Sequence, residues 1–293
     1  MDRCFGKQHH DPANLMRFLS AIILLASFAV ACAGNAAPSP APHQVEIPFE
    51  GGVLHAVLFK PDGEGPFSVV IALHGCGGLT GRSEPIQARY RDWAEQLVKE
   101  GKAVLFPDSY GSRELGPQCH VKERRIHARR ERVADIFAAR RWLVEQPWVE
   151  HNRISPMGWG NGASAVLWAV RPQLSPRQVE PDFRSAIAFY PDCRLSSGLG
   201  WSARVPTLVL IGAKDDVNSP SACHQMVDGA YGRSALARIV VYRSAYHDFD
   251  RANLPLHALG PTSDATDPEK GHIGTDAEAR VDSQKRVAEW LAR

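Results

Sequence analysis

The sequence predicts an α/β domain built on a mostly parallel, doubly wound sheet with helices on both faces, and three observations carry that reading. Short apolar runs alternate with helical patterns, a βαβα rhythm. The runs are continuous, as strands buried on both faces require. The 293 residues, 44% hydrophobic and 23% charged, are enough to bury one sizeable core.

Taken in order, residues 45–61 read as an antiparallel hairpin turning at Gly51-Gly52. The first buried strand is expected at 69–73. Tyr90, Trp93, Ala94, Leu97 and Val98 then follow i, i+3, i+4, i+7, i+8, one face of a helix that Gly101 closes. A strand at 103–106 is followed by a helix presenting Val133, Ile136, Phe137, Leu143 and Val144. An apolar run leads into Met157 and opens a further helix after Gly160. Strands at 186–189, 208–211 and 239–242 continue the sheet. A last helix is expected from Thr275, with Glu278 completing a capping box, and it presents Val287, Trp290 and Leu291. No internal repeat or second domain is visible, so residues 44–293 are read as one domain.

Ahead of it, Arg17 precedes an uncharged apolar stretch, 18–30, that ends in the small residues Ala29-Val30-Ala31-Cys32-Ala33. This is the pattern of a secretory signal, placed at 1–33. The stretch is shorter than the roughly 20 apolar residues of a membrane span, so no span is expected after its removal. Met16 is the more typical start, which would put residues 1–15 outside the natural chain. Residues 34–43 form a Pro/Ala-rich linker. The expected destination is the periplasm or the exterior, with lipid attachment at Cys32 as the alternative; Ala29 replaces the bulkier residue usual in lipid signals.

A formal net charge of +2 provides no broad footprint for nucleic acid. The densest basic run, Lys122, Arg124, Arg125, Arg129, Arg130 and Arg132, is interleaved with Glu123 and Glu131 and is read as a solvated approach to a helix. Export makes the four remaining cysteines, Cys76, Cys119, Cys193 and Cys223, candidates for two disulfides, and all three pairings stay open. No cofactor is expected. The absence of CxxC and HExxH gives a zinc site no support.

In an open α/β sheet, ligands bind beyond the carboxyl ends of the strands, and four such ends are chemically distinctive. His74-Gly75-Cys76-Gly77-Gly78 follows the first strand, where glycines can aim backbone amides at a developing negative charge. The candidate oxyanion amides are those of Cys76 and Asn161. Gly158-Trp159-Gly160-Asn161-Gly162 has the frame of a nucleophile elbow, GxSxG, with glycine at the reactive position. Ser164 lies a helical turn later and is read as a packing or helix-surface serine rather than a substitute nucleophile. Pro156 sits in the strand feeding the turn, where its missing N–H removes a ladder bond. Ile211-Gly212-Ala213-Lys214-Asp215-Asp216 supplies an acid, with Asp215 preferred over Asp216, and Ala245-Tyr246-His247 supplies a base. The order nucleophile, acid, histidine is that of α/β-hydrolases. His272 is read as a structural hydrogen-bond donor.

From about residue 69 to the end the chain resembles the dienelactone hydrolases, particularly exported ones. The resemblance is carried by LHGCGGL (73–79), RYRDWAEQL (89–97), VLFPDSYG (104–111), RERVADIFAARRWLVEQPWV (130–149), GWGNG (158–162), AFYPDCR (188–194), IGAKDD (211–216) and AYHDFD (245–250). It implies an α/β-hydrolase fold and hydrolysis of a small ester or lactone through a serine or cysteine, an acid and a histidine. His247 is then the base, Asp215 the acid, Gly160 the nucleophile position, and Cys76 and Asn161 the oxyanion residues. Members acting on dienelactone hold the substrate carboxylate with arginines, which implies such a role for Arg251 and, displaced by one residue, Arg113. Gly160 departs from the family at the atom that should attack. The competing reading is an exported binding protein that captures a small carboxylate or ester without cleaving it.

Overall fold

The structure is a computed structural model and describes residues 41–49, 52–81, 84–172, 181–260 and 271–293. The expected signal segment at 1–33, with Met16 and Cys32, and the linker as far as residue 40 lie outside the described residues. Strand β1 (His43–Phe49) pairs antiparallel with β2 (Gly52–Phe59), Phe49 opposite Gly52. The hairpin read from the sequence is present.

After it come β3 (Phe67–Leu73), α1 (Ala88–Lys99), β4 (Lys102–Pro107), a 3-10 turn at Gly111–Arg113, α2 (Glu131–Val144) and β5 (Val149–Trp159). The second half runs α3 (Asn161–Ala169), β6 (Ala186–Phe189), α4 (Arg194–Gly198), β7 (Thr207–Gly212), α5 (Pro220–Gly229) and β8 (Ala237–Tyr242). A two-residue pair, β9 (His257–Ala258) with β10 (His272–Ile273), precedes α6 (Ala277–Leu291). The main sheet has the order β1-β2-β4-β3-β5-β6-β7-β8, with β4 through β8 parallel and the first hairpin antiparallel at one edge. The chain moves from β3 outward to β4, then returns to place β5 on the other side of β3. This reversal opens a crevice at the carboxyl ends of β3 and β5, where such sheets bind ligands.

The central strands are buried, every residue from 69 to 73, 103 to 106, 186 to 189 and 208 to 211 lying in the core, whereas the edge strand β8, expected as a similar run at 239–242, is only half covered. Helix α1 buries the five residues that its periodicity selects, Tyr90, Trp93, Ala94, Leu97 and Val98. Helix α2 differs from its expected face. It buries Ile136 and Leu143, but also Arg132, Asp135 and Arg140, while Val133, Phe137 and Val144 are only half covered. Its inward face is partly polar because those groups meet partners there: Arg132 the His74 carbonyl and Asn161, Asp135 the guanidinium of Arg113, and Arg140 the Phe183 ring. Helix α6 begins two residues after Thr275: Asp276 is the cap, its side chain accepting from the Ala279 amide, while Thr275 Oγ1 donates to the Arg251 carbonyl and accepts from the Leu254 amide. Pro156 stands opposite Ile71 in the middle of the sheet.

Two disulfides decide the pairing that the sequence left open, Cys76 with Cys119 and Cys193 with Cys223. Such bonds point to an oxidising location. The second encloses 30 residues of separation and joins the start of α4 to α5. Replacing both its cysteines by alanine is expected to cost about 3 kcal/mol, since most of the effect comes from releasing the unfolded chain. A lowered urea midpoint with a steeper slope, since the released unfolded chain exposes more surface, checks this. No helix among the described residues is long and apolar enough to cross a membrane.

Candidate active site

Strand β5 ends in a tight turn flanked by Gly158 and Gly162, where a Cβ would overlap backbone at 2.6 and 2.2 Å. Gly160 has φ 50° and ψ −112°, its amide donates to the Phe189 carbonyl at 3.0 Å, and its own carbonyl accepts from the Ser164 amide at 2.9 Å. Helix α3 therefore starts within one residue of the strand. Ser164 lines the cleft, but its hydroxyl is engaged: it donates to the Gly160 carbonyl at 3.2 Å and accepts from the Asp192 amide at 3.0 Å.

His247 follows β8 in a loop that bridges to Ile273. Its Nδ1–H donates to Asp215 Oδ2 at 2.9 Å, and the other carboxylate oxygen accepts from the amides of Val217 and Asn218 at 3.0 and 2.7 Å. Asp216 is turned instead to His272, accepting from its amide and its Nδ1 at 2.7 and 2.8 Å. A Cβ built on Gly160 would lie 3.7 Å from His247 Nε2. The imidazole thus presents its second nitrogen to the glycine. Burial opposes charge on this imidazole, but the hydrogen bond and charge of Asp215, with the charge of Asp248, outweigh it and hold the histidine above its ordinary value of 6.5.

Opposite the base lie the two loops expected to supply oxyanion amides. The Gly75 amide is taken by the Tyr90 hydroxyl at 2.8 Å, leaving Cys76 as the next donor along the loop. Asn161 is the first residue of α3, so its amide belongs to the end of the helix that has no acceptor of its own. Arg132 braces both sides. Fully buried, it donates to the His74 carbonyl at 2.7 Å and to Asn161 Oδ1 at 2.9 Å, and lies near Ser109 Oγ and the Tyr110 ring. Tyr110 donates to the same Asn161 oxygen at 3.1 Å. The basic run is therefore solvated only in part. Its last member turns inward because two oxygen acceptors meet it at the start of α2.

Behind His247 is a buried ionic network without a counterpart in the sequence reading. Arg89 clamps Asp248 through two hydrogen bonds at 2.6 and 3.1 Å and donates to Tyr190 Oη at 2.6 Å. Tyr190 donates to Asp250 at 2.6 Å, and Asp250 also accepts from the indoles of Trp93 and Trp159 at 2.7 and 2.8 Å. Burial drives the Tyr190 phenol well above its ordinary value, against the pull of Arg89, so it stays protonated. Burial also disfavours ionised Asp248, but Arg89, His247 and Arg251 together hold it well below the usual carboxylate range. The Tyr190 ring packs 4.3 Å from the imidazole, centroid to centroid. Only the recurrence of acids in His247-Asp248-Phe249-Asp250 signals this network in the sequence.

These groups face a cleft of about 1240 Å³, whose walls include Cys76, Gly160, Asn161, His247 and Arg251. Arg251 reaches Asp248 at 3.2 Å and remains about a third exposed. Arg113 does not join them. Its guanidinium is spent on Asp135, at 2.7 and 3.1 Å, and on the Ser109 carbonyl, because α2 buries that carboxylate beside the 3-10 turn.

A turn at Gly160 and a His247–Asp215 pair meeting where the strand order reverses make this a domain of the α/β-hydrolase class. More narrowly, the chain belongs to the dienelactone hydrolase family, whose model matches residues 54–293. Among solved structures it is similar to a candidate dienelactone hydrolase from Klebsiella pneumoniae subsp. pneumoniae, at 19% identity and a TM-score of 0.64, covering 86% of this chain and 98% of that one. It is also similar to a dienelactone hydrolase from Anabaena variabilis, at 18% and 0.61, with 87% and 98% covered. A third is a dienelactone hydrolase-like promiscuous phosphotriesterase from metagenomic libraries, at 16% and 0.62, with 86% and 97% covered. At these identities the likeness speaks for the fold alone. A search of curated proteins found no match.

Proposed function

We propose that this protein is an exported hydrolase of small esters and lactones in which His247 activates water directly, with no covalent acyl-enzyme. One observation carries the reading: the nitrogen that would deprotonate a side-chain nucleophile faces a glycine, 3.7 Å from where its Cβ would stand. Asp215 orients the imidazole, and the amides of Cys76 and Asn161 stabilise the oxygen of the tetrahedral intermediate. Loss of a triad member still leaves roughly 10³ to 10⁴-fold acceleration over water through oxyanion donors and positioning. Slow turnover is the expected signature. The two disulfides and the apolar N-terminal segment support export to the periplasm or beyond.

The base must be neutral to accept a proton, so the rate is expected to climb with pH along a limb centred above 6.5, the ordinary histidine value. Because folding raises this pKa, its stabilising contribution runs the other way. It is complete below 6.5 and fades as pH rises through the folded value. A pH profile of p-nitrophenyl acetate hydrolysis, paired with His247→Ala, tests the proposal. Equal rates for parent and variant across the profile would overturn it.

A second reading, capture of a small carboxylate without cleavage, is favoured by the arginines Arg124, Arg129, Arg194 and Arg251 around the cleft. Saturable calorimetric binding of a small carboxylate with no product would select it.

A further inference from the structure

We infer that the same centre removes protons from carbon, acting as an isomerase on small ketones whose α C–H is acidified by a neighbouring double bond. This rests on His247 being the base of the proposed hydrolase, and on what surrounds it. Among the described residues lining the cleft, no side chain is poised as a nucleophile. Cys76 and Cys119 are joined to each other, and Ser164 is committed to Gly160 and Asp192. What remains is an oriented base whose Nε2 faces backbone, two candidate oxyanion amides, and a cation behind them. Arg132 is fully buried, and its hydrogen-bond partners among the described residues, Ser109, Asn161 and the His74 carbonyl, are all neutral. Its charge is therefore uncompensated by direct pairing. A buried positive charge acts over a longer range than in water and favours negative charge nearby.

A base, an oxyanion site and a fixed positive field are what an enolate requires. A serine at position 160 would stand between His247 and a carbon acid; glycine lets the α carbon approach instead. The step balances without any co-reactant. His247 Nε2 takes the α proton, the C–H electron pair becomes the enolate π bond, and the carbonyl pair moves onto the oxygen held by the two amides. The dienolate then takes a proton back from the imidazolium at its γ carbon, the carbonyl re-forms, and the double bond has moved into conjugation.

The test uses cyclohex-3-en-1-one, whose conversion to cyclohex-2-en-1-one is followed by ultraviolet absorbance, with deuterium uptake in D₂O read by NMR. General base catalysis of this kind contributes about 10²-fold, so an acceleration of that order over buffer is expected, returning to the buffer rate in His247→Gln. Gly160→Ser should lose isomerisation while gaining ester hydrolysis. A thermal melt of each variant keeps misfolding apart from lost chemistry. Isomerisation at the buffer rate in a protein whose ester hydrolysis depends on His247 overturns this inference alone. An acceleration that survives His247→Gln overturns it as well. If both reactions fail in the folded parent, the hydrolase reading falls with it.

Discussion

Gly160→Ser is expected to raise aryl-ester turnover by about 10³-fold, a conservative share of the roughly 10⁶-fold that a complete hydrolase triad contributes. The geometry needed is already in place. The added Cβ would make ordinary contact with His247, 3.7 Å from Nε2 and 4.0 Å from Cε1, so a hydroxyl one bond further out can come within hydrogen-bond reach of the base. The imidazole is held by a buried Asp215, and that carboxylate by two amides, so the new hydroxyl would meet an oriented acceptor. The cost falls on the backbone. At φ 50° and ψ −112° a side chain is strained, by about 1–3 kcal/mol, which for a domain of this size lowers the melting temperature by about 3–10 °C. Gly160→Ala separates the two effects, because it should show the same loss of stability with no gain in rate. A serine variant that melts cooperatively and hydrolyses no faster than the parent would mean that the dyad and oxyanion amides do not converge on one substrate oxygen and carbon.

The parts of this site that the sequence announces are those set by strand ends. A parallel sheet puts catalytic groups at the carboxyl ends of its strands, so an apolar run followed by His74, Gly160, Asp215 or His247 is enough to locate each of them on the same rim. Asp215, preferred over Asp216 for its position three residues past Gly212, is also the one of the pair that meets His247. One side chain turns inward to His247 and the other outward to His272, although they are adjacent in the chain. Arg132 and Arg89 were illegible for a related reason. Charge patterning treats an arginine as solvated by default, whereas burial here depends on acceptors brought from distant segments, His74 and Asn161 for one and Asp248 and Tyr190 for the other. Arg113 met the motif only with a displacement of one residue, and in the fold Asp135, from α2, holds its guanidinium. Helix α6 is capped by Asp276 because a cap is decided by which oxygen reaches a free amide, and Thr275 is held instead by the loop that carries Arg251.

Two residues beyond Gly160, the same substitution meets the opposite environment, and Gly162→Ala is expected to cost about 3 kcal/mol, the upper end of what forced overpacking costs. A Cβ on Gly162 would sit 2.2 Å from the Leu73 carbonyl oxygen and 2.6 Å from that of His74. Both are backbone atoms at the end of β3, so no rotamer change can relieve the clash. Helix α3 would have to withdraw from the sheet, and the move has a chemical consequence as well as an energetic one. His74 leads into the Cys76 loop and Asn161 starts α3, so parting the two elements pulls apart the amides that must hold one oxygen. Activity should therefore fall even at temperatures where the variant stays folded, whereas a remote core lesion of equal severity would spare it. Urea unfolding together with the esterase assay reads both quantities. A loss below about 1 kcal/mol, the ordinary effect of a point substitution, would contradict the close approach of β3 and α3 on which the whole arrangement of the site depends.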